Sequence, residues 1–398
     1  MRFPIPLLAA LLAVPASAQV SSADSVAALY SQNRMAEALP IARRVASARR
    51  AGLDARARFA EIALRVGEDQ RDPALLAEAA QSARSVLERR PCDASALIVM
   101  SHALVDADPD ASAEALARAV TCAPQDGNVW LAFWTDSVRE GRLRGEWDAL
   151  RSLDRLDFWS EPMLAFARWT LRAAPENALL LADGPSDAAV LRTVQDLEAV
   201  RPDVVVVPFS MLDRRGVIQG LAARDVPVPD PDMFRPRADA RGSRDSADVR
   251  LYTLADAALD GWIEAERPVV GTITLDPLVF GTKGGVVDRG ALLAPGPSMF
   301  DADAATASFQ DLDPSAFDGP PVTSRDRDPA RRASPFDPGG VVLFQMLQTA
   351  VAHAQDGDEA AAEAAYAQAV AFARGSGRAN EPLVPIAREW VDEALAND

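Results

Sequence analysis

The sequence predicts an α and α/β fold, with helical repeats flanking a small parallel-sheet α/β domain, and two observations carry that reading. Small and apolar residues recur at i, i+4 and i+7 over residues 20–160 and again near the C-terminus, which is the spacing of one packed helical face. Between these stretches, short runs that are apolar along their whole length alternate with helical patterns. Such runs belong to parallel strands covered on both faces. The 398 residues amount to roughly two or three domains at about 100–200 residues each.

Residues 1–18 read as a signal peptide. Arg2 supplies a basic start, Leu7 to Val14 an apolar run, and Ala16-Ser17-Ala18 a small-residue cleavage site before Gln19. The apolar run falls short of the about 20 residues a bilayer requires, and no Cys follows the cleavage site to take a lipid. Export is therefore expected, to the periplasm or beyond the cell, with no membrane insertion after cleavage.

Residues 19–172 read as helix throughout. Ala38, Ala42 and Val45 define a register that Ala79, Ala83 and Val86 repeat, then Ser112, Leu116 and Ala119, and finally Ala362, Tyr366 and Ala369 after Gly357. Pro91 and Pro124 lie 33 residues apart, and counting on from Pro124 puts Trp130 in the next first helix and Gly141 at its turn. This spacing resembles the tetratricopeptide repeat, in which a Gly allows the turn between helices A and B and small residues let the backbones approach. A generic Ala-rich helical bundle is the alternative, and it too is all-helical. Cys92 lies just before one helix A and Cys122 at the end of the following helix B, ends that an antiparallel pair brings together. In an exported protein that placement makes a disulfide plausible.

Within 173–300 the period changes. Ala178 to Ala182 reads as a buried strand ending in Asp183-Gly184-Pro185, and Ser186 or Asp187 caps a helix reaching Val200. Pro202-Asp203 breaks that helix, Val204 to Val207 forms a second strand and Asp213 to Arg224 a second helix. A third helix, about Leu251 to Glu266, leads into a strand at Val269 to Thr274. Residues 301–337, rich in Asp, Pro, Ala and Ser, read as an irregular linker. Residues 338–398 supply the returning helix pair and a final helix, whose Trp390 is expected to pack on the pair.

The order of parts from about 175 to 395 carries a second resemblance. ENALLLADGPSDAAVLRTVQDLEAVRPDVVVVPFSML, the strand near RPVVGTITL, the connector and the last helix pair are similar to the soluble tail of bacterial membrane proteins related to protein O-mannosyltransferases. Transmembrane helices are lacking, so the resemblance implies an accessory domain and no sugar transfer. Asp183 and Asp187 keep the acidic character of that family's Gly-Asp-Asn-Asp turn, whereas Gly184-Pro185-Ser186 depart from it.

Ligands of a parallel sheet bind beyond the carboxyl ends of its strands. Asp183, Asp187, Ser210, Asp213 and Asp276 fall near such ends as candidate ligand residues, with Lys283 in FGTKGG as a further one. Carboxylates there suit Mg²⁺ or Ca²⁺ or a polar molecule, against the plainer role of Asp and Ser as caps and turn formers. FGTKGG lacks the order of a phosphate-binding loop and reads more simply as a hairpin loop. His102 and His353 sit in helices, so a Ser-His-Asp or zinc arrangement lacks its parts and no catalytic residue is assigned. Trp130, Trp134, Trp147, Trp159 and Trp169 suit a ligand groove or, more simply, a core.

A net charge of −17 argues against nucleic acid and anionic membranes, and Lys283 is the one lysine among 41 basic residues. The functional expectation is an exported interaction or scaffolding protein of the bacterial cell envelope, holding a protein partner on a concave helical surface and needing no cofactor. A small-ligand or metal-binding enzyme or binding domain at the strand ends is the alternative, and a purely structural role a third.

Overall fold

The computed structural model describes residues 22–32, 34–70, 72–230, 245–319 and 337–396. The expected signal peptide lies outside these residues. Helices α1 (Ser22–Ser31), α2 (Met35–Ala46), α3 (Leu53–Gln70), α4 (Pro73–Leu87), α5 (Ala94–Leu104), α6 (Pro109–Cys122), α7 (Gly127–Glu140), α8 (Leu143–Arg155) and α9 (Glu161–Ala173) open the described chain. Short acidic punctuation sets their starts. Asp72, Asp93, Asp108 and Asp126 accept hydrogen bonds from the first backbone N–H groups of α4, α5, α6 and α7. Pro73 and Pro109 follow two of these caps, where a missing N–H costs nothing.

Consecutive helices pair as hairpins, α3 with α4, α5 with α6 and α7 with α8, while α3, α5 and α7 pack successively against one another. The register read from the sequence is the buried seam of the second helix of each pair. Ala38, Ala42, Ala79, Ala83, Val86, Ser112, Leu116 and Ala119 are all buried, in α2, α4 and α6. Cys92 and Cys122 meet as expected, with Cα atoms 5.3 Å apart, joining the start of α5 to the end of α6.

A six-stranded sheet follows, in the order β2-β1-β3-β5-β4-β6. It is built from β1 (Leu179–Ala182), α10 (Pro185–Glu198), β2 (Val205–Pro208), α11 (Arg215–Ala222), α12 (Asp245–Glu264) and β3 (Val269–Thr272), then β4 (Val286–Asp288), β5 (Leu292–Pro295) and β6 (Met299–Phe300). The expected parallel pairing holds in the first half, where Leu180 sits opposite Val206 on one side and Val270 on the other. All of β1, β2 and β3 are buried along their length, which is why they carry no polar alternation. Beyond β3 the sheet is mixed. β5 runs antiparallel to β3 and β4, and β6 parallel to β4.

Three expectations need correction. FGTKGG is no hairpin loop, because Pro277–Lys283 form a 3-10 helix that ends at Gly284 in the left-handed region before β4. Residues 301–319 of the expected irregular linker are ordered as α13 (Ala302–Ser308) and a 3-10 turn (Pro314–Phe317). Phe309 and Phe317 are buried there, against Trp169 and Phe372, so two aromatics hold down a stretch that is otherwise poor in apolar residues. Lastly, α14 (Pro338–Gln355), α15 (Glu359–Gly375) and α16 (Leu383–Ala396) form the C-terminal hairpin and final helix, but Trp390 is half exposed; Ala387 and Val391 make the packing.

Two large cores result. One is confined to the first helices, from Val26 to Val129, and the other runs without a break from Trp134 through the sheet to α14 and α15.

Candidate functional site

A cleft of about 630 Å³ opens along α3, α5 and α7. Its lining repeats with the hairpins. Leu64, Ile98 and Leu131 stand at successive steps of 34 and 33 residues, and so do Glu61, Ser95 and Asn128, and again Glu68, His102 and Thr135. One helix of each pair thus offers the same positions to the same cleft. Arg34, just before α2, and Glu37 of α2 lie on its border, paired with each other, and Pro185 and Ser186 of α10 bring the α/β domain to it. His102 Nδ1 lies 3.2 Å from Glu68 within the lining. Burial, and then the neighbouring Glu68, hold the Asp69 carboxyl above its ordinary range, with Arg65 opposing them.

The Asp183–Asp187 turn leads into that cleft from the carboxyl end of β1. Burial first, then the charges of Asp187 and Asp276, push the Asp183 carboxyl up. Asp187, in the first turn of α10, is also pushed up by burial, against a hydrogen bond of 2.6 Å donated by Thr274 Oγ1. Asp276 accepts from the Tyr252 hydroxyl at 2.7 Å and from Leu278 N at 2.9 Å, capping the 3-10 helix. Ser210 is exposed, and its N–H donates to the Asp183 carbonyl at 3.2 Å. Asp183, Asp187, Asp276 and Ser210 therefore come together as their positions at strand ends suggest. Among the described residues, however, no group of three or more His, Cys, Asp or Glu side chains is placed to hold a metal ion. What the turn offers is carboxyl groups held toward the neutral form, suited to hydrogen bonding a polar group.

Asp213 and Lys283 lie elsewhere. Asp213 neighbours Arg214, whose guanidinium reaches Asp106 at 2.8 Å and so ties α11 to the α5–α6 loop. Lys283 pairs with Asp256 at 2.7 Å and with Asp260, fastening the 3-10 helix to α12. His353 is buried against Thr306, at 3.0 Å. None of the five tryptophans singled out in the sequence lines the cleft. Trp159 donates to Thr193 at 3.1 Å and Trp169 to the Ser308 carbonyl at 2.8 Å, which are core roles.

The cleft was missed because its lining carries no recognisable motif, and His102, which belongs to it, reads in the sequence only as a helix residue. Their signal was the recurrence of Leu64, Ile98 and Leu131 at steps of 34 and 33 residues. No protein-family model matches the chain, and no curated protein is similar to it.

Proposed function

We propose that the protein is an exported interaction or scaffolding component of the bacterial cell envelope, and that the cleft along α3, α5 and α7 is a concave surface that holds an extended segment of a protein partner. The observation carrying this reading is the recurrence of equivalent positions, Leu64, Ile98 and Leu131, on successive helices facing one cleft. A repeated row of similar subsites suits a chain that is itself repetitive along its length. The tetratricopeptide-like register supports it from the sequence side, as does the resemblance of residues 175–395 to an accessory tail that transfers no sugar. The order of features in residues 1–18 and the Cys92–Cys122 pair suit an oxidising compartment. No helix of the described residues is long and apolar enough to cross a membrane.

A photoreactive amino acid placed at Ile98 or Leu131 in the native host tests this reading. The same partner adduct is expected from both sites and none from Glu114, which is exposed on α6. Equal labelling from Glu114, or no adduct from either cleft position, overturns it.

The second reading, a polar ligand at the strand ends, is favoured by one observation, the raised carboxyls of Asp183 and Asp187. Weakened binding of a polar ligand by Asp183→Ala, with cleft crosslinking unchanged, would support that reading.

A further inference from the structure

The spacing of the cleft along α3, α5 and α7 restricts what can occupy it. Its apolar floor is Leu64, Ile98 and Leu131, one residue from each helix, with Leu64 the most deeply set. Helices packed side by side have axes about 8–10 Å apart, so the floor offers one apolar subsite at about that interval. Polar rails run along both sides. Glu61, Ser95 and Asn128 form one and Glu68, His102 and Thr135 the other, three residues before the floor position and four after it on each helix. The rails are therefore about 10.5 Å of helix rise apart.

These two lengths select among chain conformations. An α-helix is about 10–12 Å across with its side chains, too wide to lie between rails whose own backbones are about 10.5 Å apart. A β-strand repeats its face every two residues, about 6.7 Å, and falls out of step with the floor. A polyproline II segment has three residues per turn at about 3.1 Å each, so one face returns at intervals of about 9.3 Å. That interval matches the floor. Arg34 and Glu37 border the cleft beside α3, and Pro185 and Ser186 beside α7, which leaves room for three such steps.

Charge distinguishes the two ends. Beyond the Arg34–Glu37 pair, the charged carboxyl and guanidinium groups of the lining are Glu61, Arg65, Glu68 and Asp69, all on α3, whereas α7 contributes none. Glu61 is buried and accepts from the Tyr30 hydroxyl, so Glu68 and Asp69 are the acids an occupant meets. A cation placed there relieves the repulsion that Glu68 adds to burial in pushing up the Asp69 carboxyl.

We propose, on the reading of this cleft as a partner site, that its occupant is a polyproline II segment of about seven residues, with aliphatic side chains at every third position and a lysine or arginine at the end over α3. The aliphatic side chains seat on Leu64, Ile98 and Leu131, and the cationic one lies against Glu68 and Asp69. Prolines between them have already fixed their φ angles, so the segment loses little conformational entropy on binding.

Isothermal titration of the full chain with end-blocked peptides is the test. The probe is Leu-Pro-Pro-Leu-Pro-Pro-Leu with a Lys added at one end, made with the Lys at either terminus because the cleft fixes which end is cationic and not the chain direction. The better of the two should bind at least about tenfold, or ~1.4 kcal/mol, tighter than Pro-Leu-Pro-Leu-Pro-Leu-Pro with the same Lys, which has the same composition at period two. Replacing the prolines by alanine keeps the period and frees the backbone, and should also weaken binding. Glu in place of the Lys should weaken it too, and Glu68→Gln with Asp69→Asn should erase that preference for Lys while leaving the preference for period three. No binding of either probe, equal or tighter binding of the period-two or alanine peptide, or a preference for Lys that survives in the double variant overturns the proposal. Photo-adducts still formed from Ile98 and Leu131 would then keep a partner in the cleft in another conformation, whereas their absence would remove the partner reading as well.

Discussion

Asp187 and Asp203 show how the same side chain carries opposite pH dependence. Asp187 is held above its ordinary range by burial, so the folded state resists its ionisation. The resulting penalty is absent in acid, grows as pH rises from about 4 through the raised folded value, and is constant beyond it. Asp187→Asn keeps an acceptor for Thr274 and removes that penalty. It should raise Tm at pH 7 and lose the advantage near pH 3, as thermal melts at the two pH values would show; an equal effect at both would refute the burial argument. Asp203 is the reverse case. The Arg201 guanidinium grips it through Nε and Nη2, at 2.9 and 2.7 Å, and holds it far below the usual range, so its contribution is present at neutral pH and lost only in strong acid. Arg201 also donates to the carbonyls of Ala174 and Pro175, closing the end of α9. In the sequence, Arg201-Pro202-Asp203 was legible only as a helix breaker. A fork between residues two apart has no periodicity to betray it.

Elements that bury both faces were the most legible. β1, β2 and β3 are continuous apolar runs, and their helices show the change of period around them. β4, β5 and β6 are only two to four residues long, and Gly284, Gly285, Gly290 and Gly296 interrupt them, so the glycines that make the turns also erase the strand pattern. The docking of α11 on α7 was likewise invisible, because it depends on a contact between two residues without side chains. A Cβ on Gly216 would overlap Gly141 N and the carbonyl oxygens of Val138 and Arg139, all of them backbone atoms. Gly216→Ala should therefore destabilise by about 1–3 kcal/mol, since the helix itself must shift. Gly220→Ala, one turn further along the same helix with open space around it, should stabilise by roughly 0.5–1 kcal/mol through helix propensity. Urea titration of the two variants checks the pair; effects of the same sign would contradict the close-approach argument.

At the scale of the molecule, the candidate site was half legible. The strand-end positions of Asp183, Asp187, Ser210 and Asp276 followed from the sheet, whereas Lys283 turned out to be a fastener between elements and Asp213 a neighbour of one, Arg214. Sequence position places a residue at a strand end but does not say which partner neutralises it. The cleft required three hairpins to be stacked before its row of Leu64, Ile98 and Leu131 existed at all. The disulfide belongs to this scale too. It closes a separation of 30 residues, worth about 3–4 kcal/mol in the chain-entropy model, so Cys92→Ser with Cys122→Ser should lower stability by up to that amount in denaturant titrations. An unchanged midpoint would mean that the bond contributes nothing to the native balance.

The placement of that bond matters more than its strength. Cys92 and Cys122 sit among helices of the first core, while the second core, from Trp134 onward, contains no cystine. A reductant therefore acts on one half of the protein alone. In scanning calorimetry of the reduced chain, the endotherm of the N-terminal hairpins should move to lower temperature and detach from that of the sheet and C-terminal helices. The cleft would then come apart while the rest of the molecule stays folded, so the compartment's thiol chemistry would decide whether there is a surface to bind.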